Sequence, residues 1–316
     1  TNRRLCATAA WNTAGDHSTF GSRVEAGTDQ LESSTDGARS RNRAAWSAEG
    51  SLETGAWSVS ALARLDWVEG FTGAPGARVG AARTWQDDSP TTWTLRAGAG
   101  TGFRPPTFDD LFWPARGSAS GNPGLQPERA WDADLALGVT GTEARAQVGV
   151  FVSRIDDLIQ WVPGSDGVWR PHNVGRAAIH GVEGDLSWGL ATGPVLWRVD
   201  ASGTLLRARD ATGDAVTGGK QRVARAEANG FAELSAARGP LTLAAGLTAV
   251  SRAPLTAANT KWSPGSLRWH ARLRWQATGA LRLDLEGRNL TDAWVEDLRG
   301  YAAPGREVLL GFRFTP

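Results

Sequence analysis

Three adjacent aspartate pairs, Asp87-Asp88, Asp109-Asp110 and Asp156-Asp157, are the residues whose types best suit acid–base chemistry in this chain. Two carboxylates can share that work only when both reach one reacting atom. Neighbouring residues on a strand point to opposite faces, so the pairs read as solvated turns. His17, His172, His180 and His270 are dispersed and lack metal-ligand spacing. Ser, His and Asp are present, but no nucleophile motif joins them. Gly98, Gly100 and Gly102 imitate a phosphate loop, yet they end a strand and no helix follows. Cys6 is the sole cysteine, which leaves no disulfide framework and no cysteine metal site. The spacings support no enzyme, no cofactor and no metal.

Binding chemistry has better candidates. Arg104, Arg116, Lys220 and Arg222 are the candidate loop residues for a ligand; Lys220 with Arg222 could meet an anionic small molecule, although solvated loop charge explains them better. The chain carries 34 basic and 33 acidic side chains, a net charge of +1, so nothing draws it generally to nucleic acid.

The elements that would hold these residues are strands. Trp57-Ser58-Val59-Ser60-Ala61-Leu62-Ala63-Arg64-Leu65-Asp66-Trp67 is apolar at every odd position and mostly polar at the even ones. Period two means a strand with two unlike faces. Trp57 and Trp67 share the apolar face about 33 Å apart, at roughly 3.3 Å per residue. A tilt of about 40° leaves roughly 25 Å, the height of a barrel's lipid-facing band between aromatic girdles. The 316 residues include 39 Gly and 16 Trp but 1 Tyr and no Met. Trp favours membrane interfaces. No apolar run is long enough for a transmembrane helix, and a mean hydropathy of −0.31 suits a wall in which only alternate residues are apolar.

The alternation predicts about fifteen strands, near 3–14, 20–31, 42–53, 56–68, 77–86, 91–101, 129–140, 143–160, 172–190, 194–207, 222–237, 240–253, 265–276, 280–292 and 304–314. No helical stretch stands out. Short connections near 15–19, 54–55, 87–90, 141–142, 191–193, 238–239 and 277–279 alternate with longer ones near 32–41, 69–76, 102–128, 161–171, 208–221, 254–264 and 293–303. Short periplasmic turns opposite long extracellular loops mark an outer-membrane barrel. Inward faces read as polar, with Arg268, His270, Arg272 and Arg274 beside Arg282, Asp284, Glu286 and Arg288. Arg83 is the exception, a cation on the apolar face near Trp85, placed where it can snorkel to headgroups.

The longest connection reads Gly102-Phe103-Arg104-Pro105-Pro106-Thr107, then Asp110-Leu111-Phe112, then Gly121-Asn122-Pro123-Gly124-Leu125-Gln126-Pro127-Glu128. Its prolines and glycines forbid regular pairing and predict an ordered loop or cap. The string resembles the TonB-dependent outer-membrane receptors, whose barrel carries Gly-Phe-Arg-Ala-Pro-Thr, Glu-Leu-Tyr and Gly-Asn-Pro-x-Leu-x-Pro-Glu. Downstream, Arg154-Ile155-Asp156-Asp157-Leu158-Ile159-Gln160-Trp161 looks like the family segment ending in Asp-Leu-Ile. Asn173-Val174-Gly175-Arg176-Ala177 with Gly181-Val182-Glu183 is similar to its Asn-x-Gly-x-Ala and Gly-Val-Glu elements. Asn289-Leu290-Thr291-Asp292 stands where the family has Asn-Leu-Phe-Asp, and Gly305-Arg306-Glu307 opens the expected last strand. The order agrees over about residues 91–316.

The resemblance implies an all-β antiparallel transmembrane barrel over residues 1–316, the last fifteen strands of a 22-stranded wall. The family's plug domain and TonB box find no counterpart, so the chain is expected to be a fragment or a processed product. It implies uptake of a scarce nutrient of the siderophore or cobalamin type across the bacterial outer membrane. Its partners would be outer-membrane lipid, the nutrient, TonB through the plug, and the barrel-assembly machinery through the C-terminal strand. The rival reading is a passive porin, which should fold a long constriction loop inward.

Overall fold

The computed structural model describes residues 2–33, 37–115, 117–164, 166–298 and 301–315. Its strands are β1 (Asn2–Ala14), β2 (Ser18–Ser33), β3 (Gly37–Thr54), β4 (Trp57–Val68), β5 (Ala74–Gln86), β6 (Thr92–Arg104), β7 (Glu128–Thr140), β8 (Ala144–Pro163), β9 (Trp169–Thr192) and β10 (Val195–Asp210). They continue as β11 (Ala228–Arg238), β12 (Leu241–Val250), β13 (Ala253–Pro254), β14 (Trp262–Ser263), β15 (Ser266–Gln276), β16 (Leu281–Arg288), β17 (Glu296–Leu298), β18 (Tyr301–Ala302) and β19 (Glu307–Phe314). A short helix, α1 (Phe108–Phe112), lies between β6 and β7.

Fifteen of these strands form one antiparallel sheet in chain order, from β1 through β12 to β15, β16 and β19. The two-residue strands pair separately as β13–β14, and β17 pairs with β18. All fifteen wall strands coincide with segments expected from alternation. The register confirms the two faces: Trp57 pairs with Arg83, Ala61 with Val79, and Leu65 with Trp46. Within β4 the outward Ala61, Ala63, Leu65 and Trp67 are exposed, whereas Leu62, Arg64 and Asp66 are partly covered.

The polarity is the reverse of a water-soluble domain. The outer face exposes Val59, Leu65, Val79, Leu135, Val148, Val150 and Leu243 to the surroundings. Outward tryptophans gather near the short turns, Trp11, Trp57, Trp188, Trp197 and Trp275, with Trp67, Trp131 and Trp269 toward the other end. The inner face is laced by ion pairs. Arg64 reaches Glu25 at 2.9 Å and Asp66 at 2.8 Å, Arg78 reaches Asp132 at 2.9 Å, and Arg274 and Arg282 share Asp284 at 2.9 and 2.8 Å. Arg64–Asp66 and Arg282–Asp284 each lie within one strand and the other three pairs cross between strands, and such partly exposed pairs add little stability. Among the described residues no helix is long and apolar enough to cross a membrane, which leaves crossing by strands untouched.

Several expected boundaries move. β2 and β3 run to Ser33 and from Gly37, so the loop expected at 32–41 is mostly strand. β8 and β9 likewise consume most of the expected 161–171 loop. The alternation fades in these projecting tips because both faces leave the apolar zone. In the other direction, β11 starts only at Ala228, not at residue 222, and residues 222–227 belong to a loop. The last strand opens at Glu307, two residues past Gly305. α1 was not expected at all.

Candidate functional site

The long connections gather at one end of the wall and interlock. The largest, residues 105–127, starts where Arg104 leaves β6 and returns where Glu128 enters β7. These two residues face each other in register. Arg104 Nε donates to Glu128 Oε2 at 2.7 Å, with a second, closer contact from Nη2 to Oε1. Glu128 is 7% exposed and also accepts the Ile159 amide at 2.9 Å. The pair therefore shuts the base of the cap and ties it to β8.

α1 is held by a capping box. Thr107 Oγ1 accepts the Asp110 amide at 3.1 Å, and Asp110 Oδ2 accepts the Thr107 amide at 3.0 Å. Asp110 is 8% exposed, and its Oδ1 accepts Trp161 Nε1 at 3.0 Å. Within the cap Leu111 of α1 is 6% exposed and Leu125 2%, and Pro106 and, in β9, Pro171 are fully buried. Opposite, Arg41 donates to the Pro106 carbonyl at 2.8 Å and stacks over Phe108, while Arg39 stacks over Phe112. Arg39, Arg41 and Asp29 share the inner-face register of β2 and β3. The cap thus bridges inner-face residues of β3 to β8 and β9.

The other motif residues act as fasteners. Asn122 donates to the Pro171 carbonyl at 2.9 Å and accepts the Gly124 amide at 3.0 Å. Asn173 accepts the Gln126 amide and donates to the Gln126 and Asp157 carbonyls, all at 2.7 Å. Pro123 and Pro127 flank this contact, and Phe103 and Gly102 end β6. Gly181 sits in β9 where a Cβ would lie 2.6 Å from the Phe151 ring. Glu183 faces Thr204 and Gly149 across the inner face. Asn289, 7% exposed at φ 45, donates to the Ala293 carbonyl at 3.0 Å and accepts its amide at 2.9 Å. Asp292 accepts the Arg306 amide at 2.8 Å, and a Cβ on Gly305 would collide with that carboxylate at 2.8 Å.

The remaining loops continue the rim. Gln221, 4% exposed, exchanges backbone bonds with the Asn259 side chain, 2.9 Å each way. Ala224 donates to the Pro254 carbonyl at 2.9 Å, and Ser263 to the Glu296 carbonyl at 3.3 Å. Arg222 is half-buried 3.8 Å from Asp210, and burial pulls its guanidinium below the ordinary value against that carboxylate. Lys220 is exposed beside it, and no carboxylate reaches it among the described residues. Arg116 lies outside the described residues.

Of the sequence candidates, then, Arg104 and Arg222 are engaged in the frame and Lys220 points to solvent. Asp110 and Trp161 stand in the motif strings without these roles, and Arg39 and Arg41 were missed. The Thr107-x-x-Asp110 spacing is itself a capping-box signal and could have revealed α1. Nothing local marks the other three, whose roles exist only once β3, β8 and β9 converge. Among the described residues no cluster of three metal-ligating side chains forms.

Comparison with known proteins agrees with this architecture. The family model described as TonB dependent receptor-like, beta-barrel, matches residues 3–290. A vitamin B12 transporter BtuB of Photobacterium profundum is 39% identical over 122 residues, 36% of this chain and 19% of that protein. The copper transporter OprC superposes with a TM-score of 0.80 at 18% identity, over 99% of this chain and 58% of its own. The ferric enterobactin receptor PfeA of Pseudomonas aeruginosa, in complex with enterobactin, gives 0.76 at 16% identity, over 99% and 54%. The chain therefore spans less than two thirds of each of these relatives. The chain belongs to the TonB-dependent receptor-like β-barrel family.

Proposed function

We propose that this TonB-dependent receptor barrel serves the uptake of a scarce nutrient, of the cobalamin or siderophore class, across a bacterial outer membrane, energised by TonB. The observation that carries the reading is the rim. Motif residues lock the cap and its neighbouring loops into a fixed frame over the inner face, as a receptor mouth requires for small-molecule capture. The identity to the vitamin B12 transporter and the likeness in fold to the enterobactin receptor support the ligand class. The long-loop end is then extracellular and the short-turn end periplasmic. Lys220 is the candidate ligand contact, with Arg116; Arg104 and Arg222 position the frame. The protein is a transporter and not an enzyme.

The fifteen strands are part of a wall. β1 and β19 have no second neighbour among the described residues, and a sheet in a bilayer needs both edges paired. TonB and the plug belong to the working receptor, and the C-terminal strand is its signal to the assembly machinery. A passive channel is the second reading, favoured by one observation: the longest loop docks on inner-face residues, as a constriction loop would.

The test is binding of cyanocobalamin and ferric enterobactin to the intact encoded protein in detergent. Saturable binding of either, weakened by Lys220→Glu for the anionic siderophore, is expected. Absence of binding to both classes, with unselective solute flux in a planar bilayer, would favour the passive channel.

A further inference from the structure

Arg83 lies on the outer face of β5, three residues before the short turn that follows Gln86. Its register partners are Trp57 on β4 and Leu95 on β6, both outward and exposed. The guanidinium carbon sits 5.6 Å from the Trp57 ring centre and 5.8 Å from that of Trp85. Trp85 in turn stacks on Trp93 at 6.4 Å and 12°. Among the described residues no carboxylate comes within ion-pair distance of Arg83. The nearby Asp87 is occupied in the turn by the Ser89 amide at 2.9 Å and Trp93 Nε1 at 3.2 Å.

Indole faces attract the cation but accept none of its hydrogen bonds in the guanidinium plane. Among the described residues the five N–H donors of Arg83 have no hydrogen-bond partner, and its neighbours on this face are apolar, Trp57 and Leu95 in register and Trp85 two residues on. An arginine on the lipid face is costly near mid-bilayer and tolerable only near the interface. At girdle depth the acceptor that matches a guanidinium fork is a phosphodiester. We propose that Trp57, Arg83 and Trp85 form an outer-face site for the headgroup phosphate of a glycerophospholipid, in the leaflet at the short-turn end. The indoles fix the fork beside the acyl chains, and the phosphate supplies the missing acceptors. The site rests on the reading that this face lies in a membrane.

The test is lipid retention by the intact encoded protein, measured by native mass spectrometry from detergent. The probes are dioleoyl phosphatidylglycerol, dioleoyl phosphatidylethanolamine, dioleoylglycerol, which lacks only the phosphate headgroup, and inorganic phosphate. Both phospholipids should be retained about tenfold better than the diacylglycerol, and Arg83→Gln should remove that difference. Arg83→Lys should retain part of it, and Arg96→Gln, on the inner face, all of it. If Arg83→Gln fails to fold, the comparison of phospholipid with diacylglycerol on the native protein still decides. Equal retention of phospholipid and diacylglycerol, displacement by millimolar inorganic phosphate, or an unchanged Arg83→Gln would overturn the site. Retention of no lipid at all would instead overturn the membrane-facing assignment.

Discussion

Arg104 and Glu128 close the base of the cap across the β6–β7 pair, and the buried Glu128 carboxylate serves the Ile159 amide at the same time. Strand wall and loop rim are joined at this point. Glu128→Ala should therefore strand Arg104 and Ile159 together, at a cost of about 1–3 kcal/mol of local stability. Hydrogen exchange of the Ile159 amide and of residues 107–113 should accelerate, while β4 and β5 stay protected. Acceleration spread evenly over the wall would contradict the local role.

Asn173→Ala removes three hydrogen bonds that hold Gln126 and the Asp157 carbonyl. Asp157 sits at φ 56, a conformation that a non-glycine residue keeps only when its surroundings enforce it. The cap should loosen at its return segment, 124–127, and limited proteolysis should cut there first. An uncleaved cap in the variant would argue against Asn173 as the fastener.

The two faces of β4 should tolerate charge differently. Ala63→Arg places a cation on the outer face near mid-bilayer and should cost about 2–4 kcal/mol, whereas Leu62→Arg faces the polar inner side and should cost much less. Urea unfolding of the intact protein in liposomes measures both. Equal penalties would overturn the assigned faces.

The hairpin tip at Asp166 gives a pH test outside the wall. Bonds from Arg170 and the Val168 amide hold the Asp166 carboxyl down to about 2, from an ordinary 3.8. A depressed carboxylate adds stability that is full above its unfolded value and is lost as pH falls through the folded one. The Val168 amide should thus stay ordered at pH 4 and loosen between about pH 4 and 2. Asp166→Asn should abolish that transition. A Val168 signal that changes near neutral pH would contradict the assignment.

The wall was legible in the sequence because apolar side chains on the outer face and ion pairs on the inner face give the wall strands period two. Leu267, Trp269, Leu273 and Trp275 alternate with Arg268, His270, Arg272 and Arg274, and the structure keeps both sets apart. Legibility stopped where that constraint stopped. The projecting tips of β2, β3, β8 and β9 are strands held by backbone pairing and by side-chain contacts with distant residues, such as Arg41 with the Pro106 carbonyl and Trp161 with Asp110, which leave no period in the sequence. α1 spans five residues and depends on Thr107, Asp110 and packing of Leu111, not on helical periodicity. The motif string falls on the cap, but the pairing of its Arg104 with Glu128 at the other end of the loop is visible only once β6 and β7 are in register.

The most direct measurement is uptake by a Gram-negative host carrying the intact encoded gene, with and without TonB. Radiolabelled cyanocobalamin and ferric enterobactin are the probes. Concentrative uptake of one of them in the TonB-positive host, abolished when TonB is deleted, is the predicted result. Uptake that is equal in the two hosts and follows the outside concentration would contradict energised transport and make the barrel a passive channel.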